Sequence, residues 1–271
     1  MNTEQARNLC EDALKRLMDA LERGHSDTLK QYLATLSRFH RYSWGNCLLI
    51  HSQRPGATHV AGFHRWLKLR RFVRKGEKGI VILAPMVGRN KSAGELSEDA
   101  ETRVFGFRAA HVFDVSQTDG EPLPEFATVK GDPCDFADRL KAFVRGKGIT
   151  LDFSDQIAPA KGMSSGGTIM LLPSLNAAEM FGVLVHETAH ELLHQGDRRP
   201  LTTKTVRETE AEAVAFIVST AIGLDVNSAC SDYIALYRGD KMTLIDSLTH
   251  IQQAASEILT AITLSEPDAN V

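Results

Sequence analysis

The segment FGVLVHETAHELLHQG (181–196) constrains this chain more than any other. Phe181, Val183, Leu184, Val185, Leu192 and Leu193 predict a buried helix, and inside it stands His186-Glu187-Thr188-Ala189-His190. Helical positions i and i+4 lie one above the other, so His186 and His190 can offer two imidazoles to one ion. Glu187 falls about 100° further round, close enough to act on a water at that ion. Ionisable groups in a buried helix are costly unless they are paired or bound to metal. His194, also four residues from His190, lies near the helix end and is expected to be a surface group or a support behind the ligands.

A second helix follows in RETEAEAVAFIVSTAIGL (207–224), after a turn supplied by Gly196 and Pro200. Glu208 and Glu212 share one of its faces, and Glu210 points roughly the opposite way. Two carboxylates facing a core need a cation or hydrogen bonds, and an ion held by two neutral imidazoles supplies the cation for one of them. Glu210 and Glu191 are read as exposed helix carboxylates.

The HExxH spacing followed by an acidic helix resembles the gluzincins, particularly the ImmA/IrrE-like metallopeptidases. That resemblance implies His186, His190 and Glu208 as ligands of Zn2+, Glu187 as catalytic base on a zinc-activated water, and Glu212 as the group that orients a ligand histidine. Two histidines and one glutamate leave the fourth position open, the pattern of a catalytic zinc site. The expected activity is a zinc metalloendopeptidase acting on an unidentified protein substrate. Tyr233, Tyr237 and His250 are candidate donors to the oxyanion. TIMLLP (168–173) is expected to form an edge strand beside the metal helix, where a peptide could add.

At 271 residues the chain is comfortable for two domains, and its 43% apolar content suffices for two cores. No apolar run is long enough for a membrane span, and the charged N-terminus lacks the core of a signal peptide. The expectation is a cytoplasmic protein with no membrane partner. Four scattered cysteines form no CxxC pair and read as small buried hydrophobes.

The net charge of -3 hides an asymmetry. Residues 1–120 hold 19 Lys+Arg against 13 Asp+Glu, and residues 121–271 hold 12 against 21. Positive charge concentrates in HRWLKLRRFVRKGEK (64–78), with Trp66 and Phe72 interleaved. Lysine and arginine neutralise phosphates, and aromatic faces stack on unpaired bases. Trp66, Arg70, Arg71, Arg74, Lys75 and Lys78 are the candidate DNA-binding residues; a solvated helix face over two core aromatics is the plainer alternative.

SWGNCLLI (43–50), GFHRWLKLRRFVRKGEKGIVIL (62–83) and VFDVSQTDG (112–120) together resemble the N-terminal domain of ArdC-type antirestriction proteins, through Ser43, Asn46, Trp66, Val73 to Gly79 and Gln117. The resemblance implies single-stranded DNA as a partner, a zincin-like domain after the DNA-binding one, and a role in mobile genetic elements, protecting DNA in transfer. It also admits a non-proteolytic antirestriction protein whose metal site is structural or vestigial. The fold expected is α+β. A small α/β N-terminal domain (1–122) precedes a zincin-like metallopeptidase domain (123–271) with a helical C-terminal tail.

Overall fold

The structure, a computed structural model, describes residues 2–89, 102–122, 132–224 and 241–263. Tyr233 and Tyr237, two of the expected oxyanion donors, lie outside them, as does Cys230. The chain divides into two units, Met1–Arg16 with Gly45–Pro124, and Leu17–Trp44 with Glu125–Val271. Residues 17–44 thus cluster with the second unit, although their sequence position assigned them to the first domain. Their amphipathic pattern specified an apolar face without naming its partner.

The first unit holds the start of α1 (Thr3–Glu22), most of α3 (Trp44–Gln53), and α4 (Phe63–Lys68). Its main sheet is antiparallel, ordered β1 (Val60–Gly62), β4 (Thr102–Asp114), β3 (Ile80–Arg89). A two-stranded sheet pairs β2 (Arg71–Val73) with β5 (Thr118–Gly120). β3 is an edge strand whose unpaired backbone groups would invite another chain. Two amides of α3 occupy it. Asn46 donates to the Leu83 carbonyl at 2.9 Å and accepts from its N–H at 2.8 Å, and Gln53 does the same with Val81 at 2.9 and 3.0 Å. The Asn46 of the family pattern is therefore an edge clamp.

The second unit has the sheet order β6 (Thr150–Phe153), β8 (Thr168–Leu171), β7 (Gly162–Ser164). β6 runs parallel to β8 and β7 antiparallel to it. The expectation that 168–173 forms the edge is corrected: β8 is central, with Ile169 and Leu171 fully buried, and β7 takes the edge. β7 lies in KGMSSGG (161–167), where glycines and serines give no alternation of polarity to mark a strand. On the sheet pack α5 (Asp135–Gly146) and α6 (Ala177–Leu193); α7 (Lys204–Ala221) and α8 (Lys241–Thr263) pack on these helices, and α2 (Ser26–Arg38) packs on α7.

α6 starts on a capping box in which Asn176 accepts from the Glu179 N–H and Glu179 reaches back to the Asn176 N–H. α7 starts on Thr203, whose hydroxyl accepts from the Val206 N–H. α7 packs against α6, α8 and α2. Ala211, Ala213, Val214, Ile217 and Val218 are all fully buried, so little of its C-terminal half faces solvent. Among the described residues no helix is long and apolar enough to cross a membrane.

Candidate metal centre

α6 and α7 run in opposite directions, bringing residue 186 beside residues 208 and 212 and residue 194 beside residue 210. His186 Nε2 and His190 Nε2 stand 3.1 Å apart, and Glu208 Oε2 lies 3.5 Å from each. These three form the one cluster of metal-ligating type among the described residues. A tetrahedral ion with bonds of about 2.0–2.1 Å separates its ligand atoms by about 3.3–3.4 Å. The observed triangle has that size, so the donor set fits a small divalent ion in both chemistry and spacing. Glu212 Oε2 lies 3.6 Å from His186 Nδ1, on the far side of the ring from the cluster.

The electrostatics are those of a site built for a cation. Against the effect of burial, Glu208 and Glu212 raise the pKa of His186 to about 9. Burial, reinforced by the charge on His186, lowers that of His190 to about 4. The hydrogen bond from His186, against burial, holds the Glu208 carboxyl at about 2. The carboxylate and one imidazole thus stand ready as ligands, and a proton occupies the other.

Glu187 is buried, and burial pushes its carboxyl above the ordinary range. It accepts a hydrogen bond from the backbone of Ser164 in β7. This closeness depends on a glycine. A Cβ at Gly162 would come within 2.5 Å of Val183 Cγ1 and 2.8 Å of Glu187 Oε1. One turn later Glu191 accepts from the Gly167 N–H at 2.8 Å, tying α6 to the turn between β7 and β8. The expectation of an exposed Glu191 is corrected: it is 9% exposed.

The larger correction concerns Glu210. Its side chain has no solvent exposure. Arg198 grips it with two contacts at 2.7 and 2.8 Å, Ser247 Oγ donates at 2.7 Å, and His194 Nε2 lies 2.9 Å away. Although burial opposes them, these donors hold its carboxyl down at about 2. Pairing to Arg198 and full hydrogen bonding offset the cost of burying the charge. His194 is likewise fully buried, with Nδ1 3.0 Å from His190 Nδ1. The sequence carried a signal for this: a helix apolar on every side leaves no exposed face for a carboxylate, and Arg198 and His194 were available partners. His250 is engaged by Asp246 of its own helix.

In the first unit the candidate DNA-binding residues divide. Trp66 is 1% exposed and donates its indole N–H to the Phe113 carbonyl at 2.8 Å. Its expected stacking on bases is corrected, since neither ring face is free; it anchors α4 to β4. Arg71 is spent on Thr118, Gly120 and Glu121, and Arg74 on Ser116, Glu77 and Asp119. Gln117, also in the family pattern, is buried and bonds the Asp114 N–H, Glu77 and the Lys78 carbonyl. Arg70, Lys75 and Lys78 are exposed, Arg70 paired at the surface with Glu121. The exposed aromatic of the stretch is Phe72, at 60%, with Phe63 at 46%.

Residues 7–113 match the family model of the N-terminal domain of anti-restriction factor ArdC. An uncharacterized protein of Bacillus anthracis is 24% identical over an alignment covering 84% of this chain. The chain spans about half (46%) of that relative's length. The metal-free crystal structure of the antirestriction protein ArdC from plasmid R388 superposes with a TM-score of 0.56 at 17% identity, covering 95% of this chain and 99% of that one. The Mn(II)-bound structure of the same protein gives 0.54 at 18% identity, with the same coverage. Residues 7–113 are therefore similar to the ArdC N-terminal domain, in a chain with the fold of the antirestriction protein ArdC.

Proposed function

We propose that this chain is a divalent-metal-dependent peptidase of the antirestriction type whose N-terminal domain binds single-stranded DNA. The observation that carries the reading is the His186, His190 and Glu208 triangle with Glu187 on the adjoining helix position. Two imidazoles and a carboxylate suit zinc, and the R388 protein's manganese makes Mn(II) the competing ion. A divalent ion held there supplies Lewis acidity toward a carbonyl and lowers the pKa of water. The chain's own part is to hold the three donors and orient His186 through Glu212. Glu187, its carboxyl raised by burial, takes a proton from water and returns it to the leaving amine. The outward edge of β7 lies beside Glu187, where an extended peptide can add as a strand.

For DNA, Lys75 and Lys78 offer exposed charge and Phe72 an exposed ring within one short basic stretch. Elemental analysis of the purified chain beside a His186→Ala control tests the metal. Glu187→Gln tests the chemistry: it keeps the ion and abolishes cleavage of unfolded protein substrates. Retained protection in a restriction assay by Glu187→Gln would favour the non-proteolytic alternative. Lys75→Glu with Lys78→Glu weakens single-strand binding, and unchanged affinity in that variant removes the DNA half of the proposal.

A further inference from the structure

α7 carries carboxylates to two points along the histidine stripe of the metal helix. Glu208 and Glu212 meet His186, while Glu210 meets His194 on the side away from the cluster. Two consecutive contacts then run back toward the cluster. Glu210 Oε2 stands 2.9 Å from His194 Nε2, His194 Nδ1 stands 3.0 Å from His190 Nδ1, and His190 Nε2 is the donor atom of the triangle. Each contact needs one proton, and the identity of the end groups decides where each goes. Glu210 can only accept, because Arg198 and Ser247 already donate to its two oxygens. His194 must therefore carry its proton on Nε2. A neutral ring protonated at Nε2 offers Nδ1 as an acceptor, and the proton of the second contact then belongs to His190 Nδ1. A neutral imidazole protonated there has its lone pair on Nε2, the atom that faces Glu208 and His186.

We propose that Glu210, acting through His194, is a positioning device that fixes the tautomer and ring orientation of His190 and so sets the affinity of the site for a divalent ion. The inference rests on the metal reading above and extends it to two residues that touch no ion. Both are fully buried, so no water competes for their contacts. The relay is anchored from three directions. Arg198 lies in the turn between α6 and α7 and also reaches Asp246 at 3.3 Å, Ser247 comes from α8, and Glu210 belongs to the helix that supplies the ligand Glu208. Partners behind ligand histidines typically contribute 10–100-fold to metal affinity.

The experiment compares wild type, His194→Phe, His194→Gln and His186→Ala, all as the full chain. Zn2+ affinity is measured by chelator competition at one pH, and ring-nitrogen NMR shifts report the tautomer of His190 in the metal-free chain. Phe fills the space without an acceptor; Gln restores an acceptor oxygen. The expected result is an affinity loss of about 10–100-fold for His194→Phe, largely recovered in His194→Gln. In wild type, His190 should be protonated at Nδ1. Wild-type affinity in a folded His194→Phe overturns the proposal, as does a His190 protonated at Nε2. If wild type holds no more Zn2+ than His186→Ala, the metal reading fails first, and the NMR arm still decides the tautomer. If His194→Phe does not fold, His194→Gln and the NMR shifts carry the test.

Discussion

Proton competition at the triangle gives a quantitative prediction for metal binding. In the metal-free chain His186 holds its extra proton up to a pH of about 9, because Glu208 and Glu212 flank it. His190 is neutral above about 4 and Glu208 ionised above about 2. A metal ion needs the lone pair of His186 Nε2, so binding between these limits expels one proton, and only from His186. Affinity should rise about tenfold per pH unit from pH 6 to pH 8, about hundredfold in all, or about 2.7 kcal/mol at 1.36 kcal/mol per unit. The linkage to folding follows the same sign. A histidine whose pKa is raised on folding stabilises the metal-free chain fully below 6.5, and that contribution is lost as pH rises through about 9. Titration calorimetry with Zn2+ in buffers of different ionisation enthalpy counts the protons released, and chelator competition gives the slope. A flat affinity from pH 6 to pH 8, or release of two protons, refutes the assignment. Removing both flanking carboxylates, in Glu212→Gln with Glu208→Gln, should abolish the proton release together with most of the binding.

Three further perturbations separate the roles assigned above. Gly162→Ala places a methyl group against Val183 and the Glu187 carboxylate, so turnover should fall while bound metal, measured by elemental analysis, stays near wild type; unchanged turnover would show that Glu187 need not sit against β7. Trp66→Phe deletes an indole hydrogen bond to Phe113 and should cost about 0.5–1.5 kcal/mol in urea unfolding with single-strand affinity unchanged. Phe72→Ala should do the reverse, lowering single-strand affinity by about 1–3 kcal/mol for a stacked base, and equal DNA losses in the two variants would contradict the burial of Trp66.

The helices were legible because their apolar spacing is unambiguous. The two helices were expected within 181–196 and 207–224, and the structure gives α6 over Ala177–Leu193 and α7 over Lys204–Ala221. The i and i+4 rule then suffices to place His186 with His190, and Glu208 with Glu212. Strand identity was harder. β7 has three residues in a glycine- and serine-rich stretch, and the backbone pairing that makes it a strand comes from β8. The basic stretch misled for another reason. Charge composition reports how many cations there are, while the structure decides which are spent inside the fold, and Arg71 and Arg74 brace the β2–β5 ribbon. Cys134, expected to be buried, is exposed at the start of α5.

The misreading of Glu210 shows why a helical wheel underdetermines a site. Facing away from Glu208 implies solvent only when the helix has a solvent face. α7 is enclosed by α6, α8 and α2 where Glu210 sits, so that side is interior and its carboxylate must find donors, whereas the Glu208 side chain keeps 52% of its surface exposed. One side meets the imidazole that a metal ion can share, and the other meets an arginine, a serine and a second histidine. Removing Glu208 leaves two imidazoles partly open to solvent, whereas removing Glu210 strands Arg198 and His194 in the interior. Loss of a buried ion pair's partner typically costs 3–5 kcal/mol. Function and stability are thus divided between residues two positions apart on one helix, and the longer reach of the site runs through the one that no ligand motif would select.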